Sequence, residues 1–262
     1  MKKALVILSG GQDSTTCLFW ALRRYDEVHC ITFDYGQRHR IEIDAAKTVA
    51  RMAGCETRHE IVSVPGILIS ASPLTSENDL EQYTSAAQME QVIGERREVT
   101  FVPMRNALFL TIAANRAEAI GAQYIATGVC QMDNANYDDC RQVFIDAAVV
   151  YINTALGHDH RGTPPIQIVT PLMQLSKAET VALAHILPGC WDALAYSHTS
   201  YDGSYPPVGM NHANVLRAQG FEEAGLPDPL VLRAHSEGLM SLPATSNYSH
   251  SARARAFAGK AL

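Results

Sequence analysis

The chain has 262 residues and a formal net charge of −6 at pH 7, which argues against a general basic surface for nucleic acids. Its length allows one α/β domain or one domain with an appendage, and no apolar run approaches the roughly 20 residues of a membrane span or forms a signal peptide, so we expect a cytoplasmic protein. The six cysteines are scattered without a Cys-x-x-Cys pair, which predicts neither a disulfide framework nor a thiolate metal site.

Apolar runs alternate with helical patterns along most of the chain. Strands are predicted at 4–8, 28–33, 59–64, 123–127 and 166–169, and helices at 15–24, 39–53, 105–121, 141–156 and 176–187. This alternation predicts a parallel sheet with helices on both faces. Sheets of this kind bind ligands at the carboxyl ends of their strands.

Three stretches lack this alternation. Residues 65–98 mix Ser, Glu, Gln and Asn, which indicates a lid or an insertion. Residues 191–209 are rich in Tyr, Ser, Gly and Pro and are predicted to be a loop. Beyond Pro227 the composition allows a short helix or a loose tail.

The loop between the first predicted strand and helix has the composition of a phosphate-binding loop. Two glycines allow a sharp turn, hydroxyl groups add donors, and the helix N-terminus adds a partial positive charge. The loop reads Ser9-Gly10-Gly11-Gln12-Asp13-Ser14-Thr15. It lacks the Walker A lysine and the Gly-x-Gly-x-x-Gly spacing. Asp13 is expected to orient the turn or to hold a magnesium ion. An ordinary strand-to-helix turn is the alternative.

The second predicted strand ends in another polar segment, Phe33-Asp34-Tyr35-Gly36-Gln37-Arg38-His39. The end of this strand should lie beside the phosphate loop, so the segment can border a nucleotide. Arg38 and His39 are candidates to neutralise phosphate charge. The alternative is a solvated helix start.

Arg105 and Asn106 begin the helix predicted after Phe101-Val102-Pro103-Met104. An arginine at a helix N-terminus is unfavourable unless an anion lies nearby, which favours a functional role for Arg105. Asn106 can also be explained as a simple N-cap.

A polar cluster follows the fourth predicted strand. Its carboxylates beside an arginine can bind a purine-like ring or hold a metal that carries phosphate. The cluster contains Asp133, Tyr137, Asp138, Asp139 and Arg141. Cys140 in the same cluster is either a nucleophile or a packed thiol.

Ser176-Lys177-x-Glu179 predicts a capping box at the start of a later helix. Lys177 at this helix start either reaches a phosphate or is solvated.

Five motifs together resemble the 7-cyano-7-deazaguanine synthase family, and the phosphate loop resembles that of the N-type ATP pyrophosphatases. The resemblance covers roughly residues 3–226, and its motifs are SGGQDSTT, FDYGQRHRIE, FVPMRN, GVCQMDNANYDDCRQVFID and PLMQLSKAE. It implies a Rossmann-like (HUP-type) α/β fold over residues 1–190 and a small helical or loop appendage over residues 191–262. Members of this family activate the carboxylate of 7-carboxy-7-deazaguanine with ATP, convert it with ammonia to the amide, and dehydrate the amide to the nitrile with a second ATP.

The resemblance also implies roles for individual residues. For the catalytic role it implies Ser9, Asp13, Ser14, Arg105 and Lys177. Around ATP, with magnesium, it implies Ser9, Gly10, Gly11, Gln12, Asp13, Ser14, Thr15, Phe33, Tyr35, Gln37 and Arg38. Around the deazaguanine it implies Arg105, Asn106, Tyr137, Asp139 and Arg141. From the net charge and the lack of a long apolar run we expect no nucleic-acid or membrane partner, and a homodimer is left open.

Two departures from the family pattern stand out. The family carries a four-cysteine zinc knuckle, and Ser200, Val208, Asn211 and Asn214 occupy those positions here. Valine, serine and asparagine are unsuited to zinc, so no zinc is expected. A replacement site built from Cys190, His198 and His212 matches no known spacing. The second departure is Met104, which stands where the family has glycine and could narrow the pocket or re-aim the substrate.

These departures keep two alternative hypotheses open. A divergent paralogue would join the deazaguanine acyl group to another amine, such as a protein, in an antiviral defence or nucleic-acid modification system. A non-catalytic nucleotide-binding module is the second alternative, although the intact phosphate loop argues against it.

Overall fold

A parallel sheet lies at the centre of the fold. The computed structural model describes residues 1–38, 40–94, 96–132 and 136–258. Within these ranges the strands are β1 (Lys3–Ile7), β2 (Glu27–Asp34), β3 (His59–Ser63), β4 (Tyr124–Ala126) and β5 (Gln167–Val169). Their order is β3-β2-β1-β4-β5, and each neighbouring pair is parallel. The predicted α/β fold with a parallel sheet is confirmed.

Helices connect and flank the strands. They are α1 (Gln12–Leu22), α2 (Ile41–Met52), α3 (Ala86–Ile93), α4 (Arg105–Ile120), α5 (Gln142–Leu156), α6 (His158–Arg161), α7 (Lys177–Ile186), α8 (Cys190–Leu194), α9 (His212–Glu223), α10 (Pro229–Ser236) and α11 (His250–Ala258). No helix in the described ranges has the length and apolar character needed to cross a membrane.

Alternate residues of β1 supply the two halves of the core. Val6 packs in a cluster with Leu18 of α1, whereas Leu5 packs with Leu110 of α4 and Ile145 of α5. Successive side chains of a strand point to opposite faces of the sheet. Helices therefore cover both faces, as the alternation predicts.

The strand order reverses beside β1. The chain adds β2 and β3 on one side of β1 and later adds β4 and β5 on the other side. Connections that leave neighbouring strands in opposite directions open a crevice outside the carboxyl ends of those strands. The loops after β1 and β4 are therefore where this fold can bind a ligand.

The 65–98 segment, predicted as a lid or an insertion, is docked on α9. Its helix α3 is capped by Ser85, whose hydroxyl accepts a hydrogen bond from the Gln88 amide. Tyr83, Met89 and Val215 of α9 share a small apolar cluster. This cluster links the segment to the C-terminal part of the chain.

The C-terminal part of the chain contains more helix than its composition indicates. The short helix α8 lies where a loop is predicted from residue 191, because the apolar side chains of Trp191 and Leu194 are buried in the core. Ala252 and Ala256 of α11 are also buried. The end of the chain up to residue 258 is thus helical and packed, which corresponds to the short-helix alternative. The boundary predicted at residue 190 stays a prediction.

Candidate active site

The phosphate loop after β1 is held by its own hydroxyl groups. The Ser9 hydroxyl lies 3.0 Å from the Ser14 hydroxyl and accepts a hydrogen bond from the Gly11 amide. Gly10 has φ +91°, and a Cβ atom there would lie 2.3 Å from the Glu42 carbonyl oxygen of α2. Only glycine fits this close approach. The loop is therefore a tight turn that leads directly into the N-terminus of α1.

A cavity of about 310 Å³ opens at the carboxyl ends of the strands, as the strand order requires. It runs from the phosphate loop to the N-terminus of α4. The predicted site residues that line it are Ser9, Gly11, Gln12, Asp13, Ser14, Phe33, Tyr35, Gln37, Arg105, Asn106, Tyr137, Arg141 and Lys177. The structure thus brings both predicted halves of the site into one cavity, and the roles of these residues stay predictions.

Lys177 lies at the phosphate-loop end of the cavity. Its Nζ atom is 2.9 Å from Oδ2 of Asp13, and its side chain is only 10% exposed. This burial rules out the solvated alternative for Lys177. The predicted capping box at Ser176 is present at the start of α7. Gly220 lets α9 pack closely against α7, because a Cβ atom at this position would lie 2.3 Å from Cγ of Lys177.

Arg105 lies at the other end, among the phenol groups of Tyr35, Tyr137 and Tyr201. Burial alone lowers the pKa of Arg105, but the surrounding phenols outweigh that effect and raise it above its usual value. The guanidinium is therefore charged at every accessible pH. This end of the cavity has a fixed positive charge.

Asp139 lies behind Asn106 and does not line the cavity. Its carboxylate accepts a hydrogen bond from the Asn106 amide at 3.3 Å, and the Asn106 side chain donates to the Asp139 carbonyl oxygen at 3.2 Å. Burial raises the pKa of Asp139. The N-cap residue of α4 is Met104, so the N-cap explanation of Asn106 is wrong. Asp139 positions Asn106 and partly compensates the positive end of α4.

Tyr137 connects the cavity to the 65–98 segment. Its hydroxyl lies 2.5 Å from Thr100 Oγ1 and 3.5 Å from Glu98 Oε2. The side chain of Glu98 is buried and also accepts a hydrogen bond from Tyr83 at 3.4 Å. Glu98 and Thr100 are not predicted from the sequence, because neither belongs to a recognisable motif.

Several predicted residues lie away from the cavity. Gly10 and Thr15 shape the phosphate loop from behind, since the Thr15 hydroxyl donates to the Gly11 carbonyl oxygen. Arg38 is exposed, and its guanidinium donates to the Asn78 carbonyl oxygen. The chain turns away from the sheet at Gly36, where φ is +83°, which directs Arg38 toward the 65–98 segment. His39 and Asp133 lie outside the described residues.

Cys140 is partly buried on the cavity wall. Its sulfur accepts a weak hydrogen bond from the Asn106 side-chain amide at 3.5 Å. This contact fits the packed-thiol interpretation, and we assign Cys140 no catalytic role.

The segment 198–217 supplies a wall of the cavity that is not predicted from the sequence. Tyr201, His198 and Arg217 line the cavity, and the His198 amide donates to the Gly10 carbonyl oxygen at 2.8 Å. The only sequence feature that singles out this segment is the loss of the metal-binding cysteines. That loss does not indicate which side chains of the segment face the cavity.

The positions of the four missing cysteines form a hydrogen-bonded group, which we call the 200–214 cluster (Ser200, Val208, Asn211 and Asn214). The Ser200 hydroxyl accepts hydrogen bonds from the side-chain amides of Asn211 at 3.4 Å and Asn214 at 3.1 Å. The same Asn214 amide donates to the Val208 carbonyl oxygen at 2.8 Å. Hydrogen bonds thus link the four positions that a zinc ion bound by thiolates would link in a knuckle.

These donors do not fit zinc, which binds thiolate, imidazole and carboxylate groups. Among the described residues no group of three or more His, Cys, Asp or Glu side chains is placed to hold a metal ion. Cys190 is buried in the core cluster of α1, so the described structure does not support a replacement site with His198 and His212.

We predict that the purified protein carries no stoichiometric zinc, because the 200–214 cluster offers no thiolate. Elemental analysis after dialysis without chelator measures this directly. Treatment with a strong chelator should leave the melting temperature unchanged. About one tightly bound zinc ion per chain, whose removal unfolds the protein, would contradict this prediction.

Met104 has an unusual backbone conformation. Its φ of +64° lies in the left-handed region, and its side chain is 69% exposed and is not among the cavity-lining residues. The expectation that this side chain narrows the pocket is therefore wrong. The conformation itself explains why a glycine suits this position.

Met104→Gly should stabilise the protein by about 1 kcal/mol, because glycine adopts the left-handed region without the steric cost of a Cβ atom. The free energy of unfolding in urea measures this. Met104→Ala is the matched control, since it keeps Cβ and should give no gain. An equal gain from both variants would assign the effect to the exposed side chain and not to the backbone.

The structure defines an α/β protein with a polar cavity at the point where the strand order reverses. The family model of the queuosine biosynthesis protein QueC matches residues 3–225. The chain belongs to this family.

Curated relatives match over nearly their whole length. The chain is 49% identical to the 7-cyano-7-deazaguanine synthase of Gloeobacter violaceus over 88% of this chain and 96% of that protein. It is 48% identical to the enzyme of the same name from Laribacter hongkongensis over 88% of this chain and 94% of that protein. A solved structure, a predicted subunit of tRNA methyltransferase from Methanocaldococcus jannaschii, is similar over 70% of this chain and 74% of that chain, with 18% identity and a TM-score of 0.42.

Proposed function

We propose that the protein is a 7-cyano-7-deazaguanine synthase. A carboxylate oxygen of 7-carboxy-7-deazaguanine attacks the α-phosphorus of ATP, and pyrophosphate leaves. Ammonia attacks the resulting acyl adenylate, loses a proton and displaces AMP to give the amide. The amide oxygen attacks the α-phosphorus of a second ATP and pyrophosphate leaves, and loss of AMP and of both amide protons gives the nitrile.

The observation that carries this proposal is the single cavity that joins the phosphate loop to Arg105. An adenylation site must hold a polyphosphate and an organic acid side by side, so that the oxygen and the phosphorus meet in line. The names of the close relatives support the same reaction.

The residues at the phosphate-loop end have the chemistry that adenylation requires. Backbone N–H groups of the loop and the N-terminus of α1 stabilise the departing pyrophosphate. Lys177 adds a positive charge beside Asp13. The carboxylate of Asp13 and the hydroxyl of Ser9 are hard oxygen donors of the kind that magnesium takes together with ATP phosphates. A bound magnesium ion there would neutralise phosphate charge.

The two alternative hypotheses are less well supported. The close relatives are named for nitrile synthesis, and the complete phosphate loop argues against a purely binding module. A homodimer, a protein acceptor and a cytoplasmic location stay predictions.

Pyrophosphate release from ATP in the presence of the acid tests the first half-reaction. We expect release that depends on 7-carboxy-7-deazaguanine and that is absent with 7-deazaguanine, which has the same ring without the carboxylate. Equal release with both compounds, or none with the acid, would contradict the proposal.

A further inference from the structure

The wall formed by the segment 198–217 brings a tyrosine to the positively charged end of the cavity. Tyr201 lines the cavity together with Arg105, Tyr35 and Tyr137. Its phenol is close enough to Arg105 for the two groups to interact electrostatically. Tyr201 therefore lies where a group bound by Arg105 would be within reach of its hydroxyl.

The carboxylates of Glu42 and Glu98 lie near the tyrosine phenols of the Arg105 end, where Glu98 accepts hydrogen bonds from Thr100. Within the described ranges, no carboxylate forms an ion pair with the Arg105 guanidinium, and the nearby Asp139 carboxylate bonds to the Asn106 amide. The N-terminus of α4 adds a further partial positive charge at this point. A partly buried cation beside a helix N-terminus is best satisfied by an anionic group of a ligand.

Carboxylate is the anionic group that fits this arrangement. A planar guanidinium donates two parallel hydrogen bonds to the two oxygens of a carboxylate. A phenol O–H donates one more, and hydrogen bonds to charged acceptors are the strong ones. The pyrophosphate part of ATP has its own site at the phosphate loop, in the same cavity.

We propose that Tyr201 is a specificity-determining residue that, together with Arg105, binds the carboxylate of the substrate. This inference rests on the proposed function. It assigns to the segment 198–217 a direct contact with the group that is activated. The neutral amide that forms later in the reaction carries no charge for these residues to hold.

The 200–214 cluster positions Tyr201. Ser200 precedes it directly, is fully buried, and donates a hydrogen bond to Asp202 at 2.8 Å while accepting from Asn211 and Asn214. The Ser200 carbonyl oxygen lies 2.7 Å from Nε2 of His198. Hydrogen bonds therefore hold the residues on both sides of Tyr201, and these bonds need no metal.

The test compares binding of the acid and of the corresponding amide to the wild type and to Tyr201→Phe by calorimetry. Loss of one hydrogen bond to a charged group should raise the dissociation constant of the acid about tenfold. The dissociation constant of the amide should rise less, by about fivefold or below, since its contact with the phenol is uncharged. Tyr205→Phe is the matched control, because the Tyr205 hydroxyl donates to Glu237 at 2.6 Å on the surface and not in the cavity.

Equal weakening of acid and amide would show that Tyr201 contacts the ring, and unchanged binding of the acid would show no contact; either result overturns the inference. Pyrophosphate release by the wild type distinguishes failure of this inference from failure of the proposed function. If the wild type releases pyrophosphate with the acid while Tyr201→Phe binds the acid normally, only the inference about Tyr201 fails. Melting temperatures confirm that the variants are folded.

Discussion

Asp13→Ala should lower the rate of pyrophosphate release by about 10²–10³-fold without unfolding the protein. The Asp13 carboxylate lies 2.9 Å from Lys177 at the phosphate-loop end of the cavity. Removal of the carboxylate takes away the charge partner of this lysine and the candidate magnesium ligand. Ser9→Ala should have a similar effect, because the Ser9 hydroxyl accepts from the Gly11 amide and contacts Ser14.

Asp44→Ala is the control for this prediction. Asp44 also lies 2.9 Å from a lysine, Lys47, but this pair is exposed on α2. The control should release pyrophosphate at the rate of the wild type, since exposed pairs contribute little. Near-normal rates in both Asp13→Ala and Ser9→Ala would contradict the assignment of the phosphate loop.

Asp228→Asn should lower the free energy of unfolding by about 3–5 kcal/mol, because it leaves a buried guanidinium without its counter-charge. Asp228 and Arg217 form a two-point ion pair with distances of 2.6 and 2.8 Å, and each side chain is only 4% exposed. Arg217 also donates to the hydroxyls of Ser197 and Thr199. This pair therefore anchors the segment that forms the wall beside the phosphate loop.

Urea unfolding measures the effect of Asp228→Asn, and Glu237→Gln provides the comparison. Glu237 pairs with Arg233 at 3.1 Å on the surface of the same region. Loss of this exposed ion pair in Glu237→Gln should leave the free energy of unfolding nearly unchanged. Similar values for the two variants would show that the buried pair is not the anchor of this segment.

The fold could be predicted from the sequence because local patterns determine it. Apolar runs mark the strands, and their ends are correct to within one residue. The carboxyl ends of parallel strands converge, so the residues that follow β1 and β2 directly, such as Ser9 and Tyr35, can be placed together from the order of the elements alone.

The remaining part of the site depends on contacts between distant segments that have no periodic pattern. Tyr201 lies in an irregular stretch, and the hydrogen bonds beside it join Ser200 to Asn211 and Asn214, which are 11 and 14 residues away in the chain. Arg38 is two residues beyond a turn that only a positive φ at Gly36 reveals. Met104 stands out in the sequence because the family has glycine at this position. Only the structure shows why glycine suits it, since the backbone there is left-handed.

The identity of the product is the most direct test of the proposed reaction. The wild type, supplied with 7-carboxy-7-deazaguanine, ammonia and excess ATP, is analysed by mass spectrometry while AMP is counted. The proposed reaction predicts complete conversion to the nitrile, with one AMP for the amide step and one for the dehydration, and the same product from Met104→Gly. Accumulation of the amide with no nitrile, or AMP formation without any deazaguanine product, would contradict it.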